Sequence, residues 1–227
     1  MIHLIPDALT GEPLARCRAL LAGVQWADGR VTAGTQAAQV KNNLQLPEDD
    51  PVGGELRAIV LTALSGCAQF FSTALPRQIY PPLFNRYGGA QNAFGDHVDN
   101  AVRTHPPTAR HVRTDLSFTL FLNDPHEYDG GELVIEDGLG GTRIKRPAGQ
   151  LVLYPSYSVH RVEPVTRGAR LACFSWVQSM VREPQHRELL HELDRSIMEL
   201  RTGPADSPAL VRLTSCYHNL LRMWASV

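Results

Sequence analysis

Residues 95–100 read GDHVDN and place a histidine and an aspartate two positions apart. On an extended segment, residues i and i+2 point to the same face, so His97 and Asp99 can reach one metal ion together. The chain contains nine histidines, so such a pair arises easily by chance, and a solvated turn is the alternative for this pair taken alone. Two protein ligands hold a metal weakly, and the metal hypothesis therefore requires a third ligand elsewhere.

His160 is the candidate for that third ligand. It lies in the β-rich run LVLYPSYSVHRVEPV, whereas the other histidines lie in polar loops or helices. Two histidines and one carboxylate form the facial triad of non-heme Fe(II) oxygenases, which leaves coordination positions open for a co-substrate and dioxygen. A zinc-dependent enzyme is a weaker alternative because it needs a general base near the metal, and its candidates are Asp96, Glu132 and Glu163.

Arg170 is the candidate anchor for a 2-oxoglutarate co-substrate, whose distal carboxylate requires a cation near the metal. Bidentate binding of a carboxylate favours arginine over lysine. If residues 159–176 form a hairpin centred near Val165, His160 and Arg170 face each other across the two strands. A slip of one residue in the register would turn Arg170 away. Three further residues share the face of Arg170: Ala172, which is expected to leave space, and Phe174 and Trp176, which are expected to wall the cavity.

The set of His97, Asp99, His160 and Arg170 resembles the site of Fe(II)/2-oxoglutarate dioxygenases of the prolyl-hydroxylase type. Five longer segments are similar to the bacterial PKHD-type hydroxylases, a family often linked to iron uptake: FNRYGGAQNAFGDHVDNAV (84–102), RTDLSFTLFLNDPHEYDGGELVIED (113–137), AGQLVLYPSYSVHRVEPVTRGAR (148–170), SWVQSMVRE (175–183) and YHNLLRMW (217–224). The resemblance covers most of the chain. It implies a double-stranded β-helix (jelly-roll) with Fe(II), 2-oxoglutarate, and L-ascorbate as the helper that keeps iron ferrous.

The resemblance also implies roles for two residues ahead of the metal pair. Tyr87 stands ten positions before His97, where related hydroxylases have a tyrosine that reaches the co-substrate. Asn85 and Tyr87 form the Asn-x-Tyr pair that some relatives use on 2-oxoglutarate, and ordinary strand packing is the alternative for both. Leu120 and Phe121 stand where animal prolyl hydroxylases have a tyrosine that contacts the distal carboxylate, so the anchoring arginine requires a different helper here.

The implied reaction is hydroxylation of an unactivated C–H bond, with 2-oxoglutarate converted to succinate and carbon dioxide. Asp99 favours hydroxylation over halogenation, because related halogenases have a small residue in its place. The second hypothesis is a non-catalytic jelly-roll that binds iron or a ligand, such as an iron-responsive sensor, and such a module makes no succinate. The substrate stays open between a siderophore-related small molecule and a peptide side chain, since fold and cofactor chemistry do not fix it.

Composition excludes several other classes. The formal net charge is −1 and the sequence pI is about 6.7, which lacks the basic footprint of a nucleic-acid-binding protein. No apolar run reaches the ~18 residues of a membrane span, and the N-terminus does not resemble a secretory signal. The four cysteines are far apart, with no Cys-x-x-Cys pair. We therefore expect reduced thiols and a cytoplasmic location.

The elements that must position these residues fall into three zones. The pattern of residues 1–77 predicts a helical or mixed flanking region. Residues 78–180 contain short β-rich runs between Gly, Pro, Asn and Asp, which is typical of a β-sandwich or barrel, and the resemblance makes this zone the dioxygenase jelly-roll. Residues 181–227 predict a C-terminal helical extension. The expected fold is therefore α+β with a mainly β core.

Apolar spacing with flanking Pro or Gly predicts four helices over residues 12–23, 53–75, 186–200 and 210–224. A Pro/Gly/Ser break at 202–208 separates the last two helices, which either pack on the core or form a homo-oligomer interface. Residues 26–46 predict a short strand or two. The polar stretch 101–113 predicts a solvated loop or, alternatively, a mobile lid. The segment GGEL (130–133) predicts a turn with unusual glycine backbone angles before a strand.

Overall fold

The computed structural model describes residues 1–136, 138, 140–202 and 207–227. Its six helices lie mainly at the two ends of the chain: α1 (Gly11–Ala22), α2 (Thr35–Val40), α3 (Pro51–Gly66), α4 (Ala68–Ala74), α5 (Pro184–Leu200) and α6 (Pro208–Trp224). Two short 3-10 turns lie at Gly29–Thr32 and Pro125–Glu127. Most of the predicted break at 202–208 lies outside the described residues.

Seventeen strands are found among the described residues: β1 (His3–Ile5), β2 (Ala27–Asp28), β3 (Lys41–Asn42), β4 (Leu44–Gln45), β5 (Pro76–Ile79), β6 (Leu83–Tyr87), β7 (Ala93–His97), β8 (Val102–His105), β9 (Arg110–Arg113), β10 (Leu116–Phe121), β11 (Tyr128–Gly130), β12 (Leu133–Ile135), β13 (Thr142–Ile144), β14 (Leu151–Pro155), β15 (His160–Val162), β16 (Val165–Gly168) and β17 (Arg170–Ser179).

Two antiparallel sheets face each other. The major sheet has the order β1-β14-β10-β17-β6-β4-β2, with β5 also paired to β17, and the minor sheet has the order β13-β12-β15-β7-β3. Two ribbons, β11 with β16 and β8 with β9, lie beside them. This arrangement confirms the expected α+β fold class with a jelly-roll core and helices at both ends.

The central strands of the major sheet are buried on both faces, because helices cover its outer side and the minor sheet faces its inner side. All six residues of β10 are buried. Leu116, Phe118 and Leu120 pack in one cluster with Leu56 of α3 and Phe70 of α4. The inner face of the same strand contributes to the space between the sheets. The strand alternates, with Leu116, Phe118 and Leu120 in the cluster under the helices and the polar Ser117 and Thr119 at the pocket between the sheets.

The single helix predicted over 53–75 is wrong, because the chain bends at Cys67. Asp50 caps α3 by accepting a hydrogen bond from the Val52 backbone N–H at 2.8 Å, and Pro51 occupies the first turn. The helices α3 and α4 then meet at 83°, so that both lie against the sheet. No single helix among the described residues is long and apolar enough to cross a membrane, and the bent pair α3 and α4 meets that length and composition only together.

The hairpin predicted over 159–176 is also wrong. β15 pairs with β7 and β12 in the minor sheet, β16 pairs with β11, and β17 lies in the major sheet. Gly168 ends β16 with φ +71°, and the chain turns there toward β17. An added Cβ at this position would lie 2.3 Å from the Glu127 carbonyl oxygen. The chain thus passes from one sheet to the other between His160 and Arg170. The two side chains approach each other from opposite sheets rather than across a hairpin.

The polar stretch 101–113 forms an ordered ribbon, not an irregular loop. β8 and β9 pair over four residues each, from Val102 opposite Arg113 to His105 opposite Arg110. Val112 is buried beneath the ribbon, and Arg113 forms an ion pair with Asp115. The ribbon therefore carries the side chains of β8 to the mouth of the space between the two sheets.

Candidate metal centre and co-substrate pocket

The side chains of His97, Asp99 and His160 converge on one point. Each offers one ligand atom, and these atoms all lie within 4.8 Å of one another. The distance from His160 Nε2 to Asp99 Oδ2 is 3.8 Å. Both histidines are buried, and the Asp99 side chain is 12% exposed.

Strand pairing in the minor sheet explains this convergence. His97 ends β7 and lies directly opposite His160 of β15. Paired residues on antiparallel strands project their side chains to the same face, and the two imidazole ring centroids are 4.2 Å apart. Asp99 follows two residues after His97, where the strand has ended. The i, i+2 relation expected from the sequence thus brings the carboxylate back to the histidines.

Hydrogen bonds to the backbone fix both imidazole rings. His97 Nδ1 donates to the Gly95 carbonyl oxygen at 2.9 Å, and His160 Nδ1 donates to the Ser158 carbonyl oxygen at 3.0 Å. A carbonyl can only accept, so each Nδ1 carries a proton and Nε2 is the ring nitrogen that is placed to bind a metal. Burial, followed by the nearby His160, lowers the pKa of His97 to about 4. His97 is therefore neutral at physiological pH, as metal binding requires.

Asp99 is oriented from the opposite sheet. Ser117 of β10 donates its hydroxyl proton to Asp99 Oδ2 at 2.6 Å, and the Ser117 and Ser156 hydroxyl oxygens lie 2.7 Å apart. Phe94 stacks on the His97 ring at a centroid distance of 3.6 Å. Such contacts around metal ligands hold their orientation before a metal binds.

Arg170 reaches the same space from the major sheet. It is 1% exposed, and its Nε has no hydrogen-bond partner among the described residues. Its guanidinium carbon lies 5.3 Å from the ring centroid of Tyr87 and 5.2 Å from that of Phe121. A buried cation without an anionic partner is costly. The arrangement therefore favours binding of a carboxylate ligand at this position.

The neighbours of Arg170 explain how it is held. Arg170 pairs with Tyr87 across β17 and β6, and Asn85 lies two residues earlier on β6. Gly131, at φ +69°, allows close approach, since an added Cβ would lie 3.1 Å from Arg170 Cδ and 3.0 Å from Tyr128 Cε2. The unusual glycine backbone angle predicted in GGEL is confirmed, and its consequence is room for the arginine side chain.

Three buried tyrosines surround this anchor. Burial raises the pKa of Tyr87, Tyr128 and Tyr154, so their hydroxyls keep their protons and can donate to a carboxylate. The Tyr128 hydroxyl has no hydrogen-bond partner among the described residues, and neither has Asn85 Oδ1. Tyr87 and Tyr128 are therefore the candidate helpers of Arg170, in place of the tyrosine absent from β10.

One pocket joins the metal ligands to Arg170. It encloses about 710 Å³, part of it open to solvent, and both sheets line it. The donor set of two imidazoles and one carboxylate fits Fe(II) with open positions, and the buried guanidinium fits the distal carboxylate of 2-oxoglutarate. Phe174 and Trp176 wall the pocket, as expected.

The candidate general bases of the zinc-dependent alternative do not lie at the converging ligands. Asp96 and Glu163 both bind Arg161, at 3.3 Å and 3.0 Å, on the outer side of the minor sheet. Glu132 is not among the described residues that line the pocket. The three carboxylates that this alternative needs therefore lie away from the converging ligands.

Sequence reasoning missed several polar residues of the pocket, among them Lys41, Arg103, Ser117 and Tyr154. Ser117 and Tyr154 lie in strands, and the period-2 pattern of those strands could have placed them on the inner face. Arg103 was part of the polar stretch whose ribbon structure was not predicted. Lys41 lies in a two-residue strand that carries no recognisable sequence signal.

Comparison with known proteins agrees with this geometry. Residues 82–178 match the family model described as 2OG-Fe(II) oxygenase superfamily, and residues 185–226 match the PKHD-type hydroxylase C-terminal domain. A PKHD-type hydroxylase of Xanthomonas axonopodis pv. citri is 58% identical over 229 residues, covering 100% of each chain. A PKHD-type hydroxylase of Nitrosomonas europaea is 56% identical over 225 residues, covering 99% of each chain.

A solved structure shares the fold at low sequence identity. The prolyl hydroxylase from Trichoplax adhaerens, in complex with a hypoxia inducible factor oxygen degradation domain peptide fragment, superposes with a TM-score of 0.58 at 14% identity. The match covers 83% of this chain and 86% of that chain. With relatives above half identity along the whole chain, the protein belongs to the PKHD-type hydroxylases and is a 2-oxoglutarate- and iron-dependent dioxygenase.

Proposed function

We propose that this dioxygenase hydroxylates an unactivated C–H bond, with Fe(II) held by His97, Asp99 and His160 and 2-oxoglutarate anchored by Arg170. The observation that carries the proposal is the convergence of three metal-type ligands in the same pocket as a buried arginine that has no anionic partner within the described part of the chain. When bound, Fe(II) and 2-oxoglutarate supply the oxidation by dioxygen, which yields hydroxylated substrate, succinate and carbon dioxide.

The protein's own side chains position the metal ligands and the co-substrate. His97 Nδ1 and His160 Nδ1 keep their protons and donate them in hydrogen bonds to backbone carbonyl oxygens, so Nε2 of each ring faces the metal position. Ser117 holds Asp99 by one carboxylate oxygen and leaves the other free. Arg170, with Tyr87 beside it, orients the co-substrate. No side chain has to act as general acid or base.

Apolar residues limit the access of water. Phe94 covers one face of the His97 ring, and Leu133, Val162 and Phe174 line the same pocket. A dry pocket strengthens the pairing of Arg170 with a carboxylate. We further propose that L-ascorbate keeps the iron ferrous. A cytoplasmic location and a homo-oligomer through the helical regions stay predictions.

Anaerobic absorption spectroscopy tests this proposal. Chelation of Fe(II) by the keto-acid end of 2-oxoglutarate gives a weak visible charge-transfer band, which we expect in the wild type. Asp99→Ala and Arg170→Met should lose or weaken the band. The matched control is Arg167→Met, which removes an exposed arginine that pairs with Asp129. A folded, iron-loaded wild type without the band would rule the proposal out.

Succinate formation separates the enzyme from the alternative, a jelly-roll that only binds iron or a ligand. The proposed enzyme releases succinate from 2-oxoglutarate in air, and a binding module releases none. A band without succinate, under any substrate offered, would favour the binding module or sensor.

A further inference from the structure

Two cations line the pocket beside the metal ligands and belong to neither the triad nor the co-substrate anchor. Lys41 lies on β3, directly opposite Phe94 of β7, whose ring stacks on His97. Arg103 lies on β8 of the ribbon and reaches over the ring of Trp176, with its guanidinium carbon 3.9 Å from the ring centroid. Both are among the residues that line the pocket.

Neither cation forms an ion pair with a carboxylate among the described residues. Lys41 Nζ donates to Thr32 Oγ1 at 3.0 Å and to Gln45 Oε1 at 3.2 Å, and both acceptors are neutral. Arg103 donates from one terminal nitrogen to the Thr32 carbonyl oxygen at 3.3 Å, while its Nε is buried without a partner. Lys41 is 5% exposed. Burying such a charge is costly unless an anion joins it.

The charges of the pocket make an anionic substrate the fitting occupant. Asp99 is the one carboxylate among the described lining residues, and it faces the metal ligands. The proposed iron neutralises Asp99, and the proposed 2-oxoglutarate neutralises Arg170. Lys41 and Arg103 then remain as two positive charges at the substrate end of the pocket.

The other lining groups indicate an apolar body next to that anionic group. Phe174 and Trp176 meet edge to face, with ring centroids 5.6 Å apart. The Lys41 ammonium lies 5.8 Å from the Phe174 ring centroid. Trp176 Nε1 is buried without a hydrogen-bond partner among the described residues and offers one more donor. Aromatic walls with a few convergent polar groups are typical of small-molecule sites.

We propose that Lys41 and Arg103 form a subsite for the carboxylate of the substrate, and that the substrate is a small organic acid whose apolar part lies against Phe174 and Trp176. The proposal rests on the proposed function, since it places the acid beside the iron and 2-oxoglutarate.

Calorimetry that compares the binding of an acid with the binding of its matched amide tests the subsite. The probes are 3-phenylpropanoate and 3-phenylpropanamide, added at pH 7 to protein loaded with Ni(II) and saturated with 2-oxoglutarate, so that Arg170 is occupied. We expect the acid to bind about tenfold more tightly than the amide, as a charged hydrogen bond predicts. Equal binding of the two probes, or binding of neither, would overturn the proposal.

Substitutions in the pocket test whether Lys41 and Arg103 cause the preference for the acid. Lys41→Met and Arg103→Gln should each lose most of the preference for the acid. Lys41→Gln serves as a second variant, since it keeps a hydrogen-bonding group if methionine impairs folding. Arg110→Gln is the matched control, because it removes an exposed arginine from the same ribbon and should keep the preference. An unchanged preference in all the pocket variants would place the acid elsewhere and overturn the proposal.

Two comparisons separate this proposal from its alternatives. A peptide with a C-terminal phenylalanine that binds more tightly than 3-phenylpropanoate would overturn the assignment to a small molecule. The charge-transfer band of the wild type with Fe(II) separates the two proposals. A band without preference for the acid overturns the subsite alone, whereas a preference without the band overturns the proposed function and supports the subsite.

Discussion

The two histidines at the candidate metal centre are oriented by the backbone of their own segments. Each Nδ1 donates to a carbonyl oxygen two residues earlier, Gly95 for His97 and Ser158 for His160. Both acceptors are main-chain oxygens, so a side-chain substitution does not remove them unless the backbone moves. Orientation of Asp99 differs, since it depends on one serine hydroxyl from the other sheet.

Ser117→Ala should weaken metal binding. The substitution removes the hydrogen bond from Ser117 to Asp99, which measures 2.6 Å, and leaves the carboxylate free to rotate. We expect about a tenfold loss of Fe(II) affinity, the lower end for loss of a contact that orients a metal ligand. Anaerobic titration with Fe(II) measures it. The control is Ser196→Ala on α5, whose hydroxyl donates to the Glu192 carbonyl oxygen, and an equal loss in both variants would contradict the prediction.

The corner between the two sheets decides the position of Arg170. After β15 the chain leaves the minor sheet, β16 pairs with β11, and the chain then enters β17 with Arg170 as its first residue. Gly131 follows β11 at φ +69° and packs against the arginine stem. The backbone of this corner therefore sets both the direction of Arg170 and the room available to its side chain.

Gly131→Ala should impair 2-oxoglutarate binding as well as stability. The added Cβ would lie 2.8 Å from Val165 Cγ2 and 3.1 Å from Arg170 Cδ, so the arginine must shift. We expect a loss of about 1–3 kcal/mol in the free energy of unfolding from the strained backbone, together with a raised dissociation constant for 2-oxoglutarate.

Gly89→Ala is the matched control for this substitution. Gly89 has a similar φ of +62°, and no described atom lies within 4 Å of the added Cβ. It should lose stability through strain but keep the affinity for 2-oxoglutarate. Chemical denaturation and anaerobic titration of the charge-transfer band measure the two quantities. Unchanged 2-oxoglutarate affinity in Gly131→Ala would contradict the role given to this corner.

The C-terminal helices form a separate apolar cluster against the end of the major sheet. Leu190 and Ile197 of α5 pack with Leu210 and Tyr217 of α6. Leu75, which ends α4, belongs to the same cluster. Packing on the core, one of the two alternatives for these helices, is therefore present in the structure. Because these helices also carry exposed leucines, a homo-oligomer stays a prediction. Light scattering after size exclusion measures the oligomeric state.

Leu190→Ala should destabilise the whole molecule. Leu190 is fully buried in this cluster, and truncation of a buried leucine costs about 2–5 kcal/mol. Leu189→Ala is its control on the same helix, since Leu189 is 53% exposed and should change little. Thermal and denaturant unfolding measure both variants. A large loss in Leu189→Ala alone would indicate instead that the exposed face is covered in solution.

The four residues proposed for iron and 2-oxoglutarate could be chosen from the sequence because residue type and spacing limit metal ligands strongly. The i, i+2 relation of His97 and Asp99 is local, and the structure retains it. The relation of His160 to Arg170 is not local, and the hairpin inferred for it was wrong. Spacing of ten residues is compatible with a hairpin and with a corner between sheets, and sequence pattern does not separate the two.

Local sequence determined the ends of α1, α5 and α6, the glycine-dependent turn at residues 130–131 and the types of the candidate ligands, because these depend on neighbouring residues alone. Tertiary structure decided which side chains share the pocket. It brought the histidines from one sheet and the arginine from the other, and it added Lys41 and Arg103 from a two-residue strand and a ribbon. Those positions depend on strand pairing between distant segments, and the free energy of such pairing is not encoded in any short stretch of the chain.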